Sequence, residues 1–193
     1  MKIGLFGGTF DPIHCAHLII AQYIKEELNL NKVVFIPAAY PPHKQVFSEP
    51  QLRFKMVNLA IINNAAFECS EIEITKKETS YSVDTIELIN KTLNLPKDKL
   101  FWIMGSDNFV DLPNWKDPKK IIELCTMVIF PRIQDSFDKT PEEYKNKVIY
   151  LKNAPIIDIS STTIRSLVQK GRSIKYLVPS AVEKLIYSEN LYR

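Results

Sequence analysis

The 193-residue sequence predicts an α/β fold: a doubly wound parallel sheet with helices on both faces. Three observations carry that expectation. Short apolar runs alternate with stretches of helical spacing along the whole chain, which is the pattern of βαβ units. One of those runs, 100–104 (LFWIM), is apolar through its length, as strands covered on both faces are, and another, 32–37 (KVVFIP), is β-branched and ended by proline. Glycine is scarce and placed: of five, Gly4, Gly7 and Gly8 fall in the first eight residues, and Gly105 closes the run 100–104.

The elements follow in order. Residues 2–17 read KIGLFGGTFDPIHCAH. Ile3, Leu5 and Phe6 make a strand that ends at Gly7-Gly8. After Phe10-Asp11-Pro12, Ala16, Ile19, Ile20, Tyr23 and Ile24 recur at the i, i+3, i+4, i+7, i+8 spacing of a helix. The strand at 32–37 completes a β-α-β unit of the usual ~30 residues, with a right-handed crossover. Residues 38–49 (AAYPPHKQVFSE) form a polar, proline-rich loop at a strand's carboxyl end, where open α/β sheets place ligands. Pro50 suits the first position of a helix that carries Leu52, Met56, Leu59 and Ala60. Residues 67–75 give one or two short strands, and 76–80 a polar loop. Ser82 caps a helix bearing Val83, Ile86, Leu88 and Ile89. After the buried strand 100–104 come a turn at 106–111, a helix from Asp117-Pro118 to about Leu124, and a strand at 127–131. Residues 133–146 are a polar, mobile excursion. The strand 148–151 is the last, and helices at 160–169 and 179–188 finish the chain. The expected organisation is one domain over 1–193, with the helices of about 160–193 packed on it. No internal repeat, low-complexity tract or linker divides it.

Composition narrows the function. Hydrophobic content of 46% and charged content of 24% are ordinary for a soluble globular protein. No run approaches the ~18 apolar residues of a membrane span. The first residues enter a strand without a signal-peptide pattern, so a cytoplasmic protein that does not bind membranes is expected. A net charge of +3 and a pI of about 8.6 suit a small anionic substrate. Without a clustered Lys/Arg stripe they do not support nucleic-acid binding. Cys15, Cys69 and Cys125 share no metal-ligand spacing and read as free thiols.

Several constellations carry chemistry. Gly7-Gly8 lets an anion approach the backbone, and the helix N-terminus that follows favours phosphate. His14 and His17, three apart, share one face of its first turn. The spacing is neither a dinucleotide G-x-G-x-x-G nor a G-x-x-x-x-G-K-[ST] loop. In Pro41-Pro42-His43-Lys44, stiffened by two prolines, His43 and Lys44 offer donors, although composition alone favours a solvated loop. Residues 159–165, Ile159-Ser160-Ser161-Thr162-Thr163-Ile164-Arg165, place hydroxyls, free N–H groups and an arginine one turn on, a second anion site; an ordinary cap with a surface arginine is the alternative. Asp107, just past Gly105, can accept from ribose hydroxyls or simply cap a helix. Trp115 stands in polar company beside Lys116, and an exposed ring can stack a pyridine; a packing role is the alternative. Asp84 and Thr85 stand near Ser82 without an assigned role.

The string GGTFDPIHCAH resembles the nicotinate mononucleotide adenylyltransferase branch of the nucleotidylyltransferase superfamily, whose signature is [H/T]-x-G-H; the family's glycine before the second histidine is Ala16 here. The resemblance extends over nearly the whole chain. It implies a Rossmann-like sheet of nucleotidylyltransferase type and the transfer of AMP from ATP to nicotinate mononucleotide, giving deamido-NAD and pyrophosphate, a step of NAD biosynthesis. It implies that His14, His17, Lys44 and Arg165 act on the phosphates. ATP would meet Gly7, Gly8, Thr9, Phe10, His14, His17, Gly105, Asp107, Ile159, Ser161, Thr162 and Arg165. Nicotinate mononucleotide would meet Gly8, Thr9, His43, Lys44, Ser82, Thr85, Trp115 and Lys116, with the tryptophan stacking the pyridine. Mg²⁺ would arrive bound through substrate phosphates, with no protein metal ligands. Arg132 matches a family arginine whose role stays open, and the final Leu191-Tyr192-Arg193 matches without an evident chemistry. Nicotinamide mononucleotide or phosphopantetheine as acceptor, and a non-catalytic nucleotide-binding regulator of the same fold, are the competing readings. Oligomeric state is not legible, and a homodimer stays open.

Overall fold

The structure, a computed structural model, describes residues 1–42, 44–76, 78–133 and 136–193. Its strands are β1 (Ile3–Gly8), β2 (Lys32–Pro37), β3 (Phe67–Cys69), β4 (Leu100–Gly105), β5 (Thr126–Phe130) and β6 (Val148–Tyr150). The helices are α1 (Cys15–Glu27), α2 (Pro50–Ile61), α3 (Ser82–Leu93), α4 (Ser106–Phe109), α5 (Pro118–Leu124), α6 (Glu142–Lys145), α7 (Ser161–Gln169) and α8 (Ser180–Ser188). The strands form one sheet in the order β3-β2-β1-β4-β5-β6, and every pairing is parallel. This is the doubly wound order. Its direction reverses between β1 and β4, and the crevice outside their carboxyl ends is where such sheets bind ligands.

Each sheet face has its own apolar layer, as strands covered on both sides require. Ile20 and Ile24 of α1, Met56 and Val57 of α2, Ile164 and Val168 of α7, and Val182 and Ile186 of α8 close one face over Phe6, Phe35 and Ile103. On the other, Val83 and Ile86 of α3 and Ile121 of α5 close over Leu5, Trp102, Met104 and Ile129. Alternate residues of β1 and β4 thus serve opposite layers, the period-2 alternation of a strand.

Of the one or two strands expected at 67–75, one, β3, forms; the remainder of that stretch turns and brings Glu73 inward, where it is 4% exposed. Two expectations change. Ser82 is the first residue of α3 rather than its cap. Tyr81 holds the cap position in extended conformation. The stretch 133–146 is not wholly irregular. It contains a 3₁₀ turn at Phe137–Lys139 and α6, and Phe137 stacks on Tyr150 at 3.9 Å and on Phe109 at 5.5 Å. Aromatic stacking on the sheet edge anchors residues 137–145. Among the described residues no helix is long and apolar enough to cross a membrane.

Candidate active site

A cleft of roughly 890 Å³ opens at the β1/β4 reversal point. It runs from Arg165 and the hydroxyls of Ser161 and Thr162, past Gly7–Thr9 and the two histidines, to Tyr81, Ser82, Trp115 and Lys116.

Its floor is the turn after β1. A Cβ on Gly7 would lie 2.7 Å from the Trp102 ring, so only glycine lets the indole pack under this turn. Phe10 adopts φ +47°, a left-handed conformation that costs a side-chain-bearing residue of order 1–3 kcal/mol. Burial offsets that cost. The Phe10 ring is 1% exposed and packs edge-on to Phe6 and His17 at 5.8 and 5.0 Å. Asp11 is buried, and its carboxylate accepts from the Tyr192 and Ser48 hydroxyls, both at 2.6 Å, and from the backbone N–H groups of Phe47 and Ser48.

His14 occupies the N-cap of α1 in extended conformation. Its backbone N–H donates to His17 Nδ1 at 3.2 Å. That bond reserves the Nδ1 lone pair, so the neutral His17 ring carries its hydrogen on Nε2. The two rings stack with centroids 3.6 Å apart. Burial drives the His14 pKa down to about 3, helped by the positive charge of Arg132. His17 is also lowered, first by burial and then by His14, Arg132 and Lys44. Both are therefore neutral in the free protein at pH 7. His14 Nδ1 is buried without a hydrogen-bond partner among the described residues, a costly condition.

α7 supplies the second anion-favouring terminus. Ser160 Oγ caps it by accepting from the Thr163 N–H at 3.1 Å. Ser161 Oγ donates to the Pro12 carbonyl at 2.8 Å. Arg165 Nη1 donates to the Asp11 carbonyl at 2.8 Å and Nη2 to Thr162 Oγ1 at 3.2 Å, while its guanidinium lies 4.1 Å from the Phe47 ring centre. The N-termini of α1 and α7 are thus joined through residues 11 and 12.

At the end of β4, a Cβ on Gly105 would collide with Asp107 Oδ1 and lie 3.2 Å from the Arg132 stem. Asp107 and Arg132 both face the cleft. Lys44 reaches across its mouth to donate to Asn108 Oδ1 at 3.0 Å. At the far end, Lys116 pairs with Asp84 at 2.9 Å and lies 4.8 Å from the Tyr81 ring centre. Trp115 is half-buried rather than fully exposed, because one side of its ring packs on the apolar layer.

Two expected contacts do not line the cleft. Thr85 is fully buried and its hydroxyl donates to Glu73 at 2.7 Å, so it braces the wall. Ile159 packs against the core, and the cleft begins at Ser160. His43 lies outside the described residues. Reading the sequence also missed Arg53, Glu73, Asn108 and the Asp11–Ser48–Tyr192 network. Each connects segments far apart in the chain, and no local spacing signals such a contact.

Fold and cleft define a nucleotide-handling α/β protein with two anion-favouring helix termini at one reversal point. The cytidylyltransferase-like family model matches residues 5–167. A relative from Geotalea daltonii, named probable nicotinate-nucleotide adenylyltransferase, is 39% identical over 214 residues, covering 100% of this chain and 98% of its own. One of the same name from Dictyoglomus thermophilum is 40% identical over 197 residues with 100% of both chains covered. The solved nicotinic acid mononucleotide adenylyltransferase of Plasmodium falciparum, complexed with NaAD, superposes with a TM-score of 0.80 over 99% of this chain and 97% of its own, at 21% identity; at that identity the likeness concerns the fold. The chain belongs to the cytidylyltransferase-like family, in its nicotinate-nucleotide adenylyltransferase branch.

Proposed function

We propose that this protein transfers the adenylyl group of ATP to nicotinate mononucleotide, releasing pyrophosphate and forming deamido-NAD. The observation that carries the reading is the junction of the α1 and α7 N-termini at Asp11-Pro12, which faces two groups of donors toward one cleft. A phosphate oxygen of the mononucleotide attacks the α-phosphorus of ATP. The bond from that phosphorus to the bridging oxygen breaks, and its electron pair leaves with pyrophosphate. The attacking oxygen is already ionised near neutral pH, so positioning and charge stabilisation supply the rate. His17 donates through Nε2–H to the α-phosphate, and His14 is beside it. Arg165, Ser161, Thr162 and Lys44 hold the β- and γ-phosphates. Asp107 accepts from ribose. Trp115 stacks the pyridine, with N–H groups near Ser82 and Lys116 for its carboxylate.

The donor set fits Mg²⁺ delivered on the triphosphate. Among the described residues no three or more His, Cys, Asp or Glu side chains converge to hold a cation, so phosphate oxygens and water would complete its shell.

The test is pyrophosphate release from ATP and Mg²⁺, comparing the nicotinate and nicotinamide mononucleotides as acceptors. The expected result is a strong preference for the acid, together with a loss of roughly 10²-fold or more in kcat for His17→Ala, the size of a lost oxyanion donor, without unfolding. Equal rates would discard the pyridine contacts. No release with either acceptor would overturn the activity in favour of a nucleotide-binding regulator or a different acceptor.

A further inference from the structure

Arg53, on α2, is 0% exposed. Its Nε donates to the Ser48 carbonyl at 3.1 Å, Nη1 to the carbonyls of Thr9 at 2.9 Å and of Ala38, and Nη2 to that of Ala39 at 2.8 Å. All four acceptors are main-chain groups of cleft-forming segments. Thr9 is in the turn after β1, Ala38 and Ala39 begin the 38–49 loop, and Ser48 ends it. We propose that Arg53 is a positioning residue for the adenylyl transfer: one buried guanidinium holds the turn after β1 and both stems of the 38–49 loop in a single register around the cleft.

The choice of residue carries the argument. A buried cation is expensive to desolvate; the charges of Asp11, Glu49 and Glu73 favour it from a distance, but among the ion pairs of the described residues none involves Arg53. An apolar side chain of similar volume would pack this position at lower cost. It could not satisfy four carbonyls drawn from three places in the chain. A lysine would keep the charge but offers three donors from one point, where the planar guanidinium offers five in a fork.

What Arg53 holds also bears on the groups that meet substrate. Ala38 N–H donates to the Gly8 carbonyl at 2.9 Å, and Tyr40 exchanges backbone and side-chain bonds with Ser80. The loop stems are therefore registered to the glycine turn on one side and to the turn before α3 on the other. Lys44 is carried on this loop and Phe47, beneath Arg165, on its outgoing stem. The inference rests on the activity proposed above, since it assigns Arg53 to that reaction.

The test is Arg53→Lys in the full chain, read by amide hydrogen exchange as well as kinetics. Exchange at Ala38, Phe47 and Ser48 should quicken by at least about tenfold, the factor of one lost bond to a charged group. The Michaelis constants for both substrates should rise and kcat should fall, with the melting transition still cooperative. In Arg53→Ala, ethylguanidinium should restore part of kcat where ethylammonium does not. Unchanged exchange at those amides, or a kcat/KM within about twofold of wild type, overturns the inference. So does failure of both variants to fold with ethylguanidinium present, which would make Arg53 a folding determinant only. Absent turnover in the wild type would count against the activity, while the exchange arm would still decide the register.

Discussion

His14 and His17 face the phosphate site as neutral rings: burial first, and then neighbouring positive charge that includes Arg132, lowers both pKa values in the free protein. Their use is directional: the His14 N–H fixes which face of the His17 ring donates. The depressed pKa has a consequence for stability. His14 titrates near its ordinary 6.5 when unfolded and at about 3 when folded. Between those values the unfolded chain binds more protons, so stability rises with pH across the window. It is fully present above pH 6.5 and is lost as pH falls toward 3. Denaturant titrations at pH 7.5, 6.5 and 5.5 should show unfolding free energy falling at the lower two, before most carboxylates protonate, and His14→Asn should shrink that fall to the part that His17 contributes. An equal fall in the variant would remove His14 as its source.

At the scale of elements, the helices and strands were legible because each keeps one hydrophobic period. The run 100–104 lies in β4, and 160–169 became α7 with Ser160 as its cap. What stayed hidden were features set by tertiary contacts. Ser82 entered the helix because Tyr81 already sits extended at its start, and residues 137–145 gained order by stacking on the sheet edge. The Gly105 junction shows how an element end serves the site. Glycine closes β4, caps α4, and leaves room for Asp107 to fold back over it. In Gly105→Ala the new methyl would collide with Asp107 Oδ1 and press on the Arg132 stem. The aspartate must then swing away from its place at the cleft. KM for ATP should rise about tenfold, the worth of a hydrogen bond to a charged group, with a smaller change for the mononucleotide. Steady-state kinetics with each substrate varied in turn checks this; an equal rise for both would place Asp107 elsewhere.

Across the whole molecule, strand order decides where the chemistry can be. The reversal between β1 and β4 brings residues 7–17, 105–107 and 160–165 to one crevice, although they lie some 150 positions apart in the chain. The alternation of elements announces a doubly wound sheet, and the string GGTFDPIHCAH announces its site. Neither reveals that residues after α8 return to that site. Tyr192 donates to Asp11 Oδ1 at 2.6 Å, and its oxygen lies 2.8 Å from Ser48 Oγ. Burial, and then the Asp11 charge, push its phenol pKa up, so it remains a donor over the whole physiological range. The hydroxyl therefore ties the last turn of the chain to the turn after β1 and to the outgoing stem of the 38–49 loop at once. Tyr192→Phe keeps the ring and removes only that tie, leaving a buried carboxylate one donor short. The loss should be about 1.5–3 kcal/mol, as for hydrogen bonds to charged groups. Tyr187→Phe, at an exposed residue, should stay within about 0.5 kcal/mol of wild type. Urea unfolding of the two variants side by side separates the cases. Equal stabilities would mean that Ser48 and the backbone N–H groups satisfy Asp11 without Tyr192, and that the end of the chain is only packed against the site rather than fastened to it.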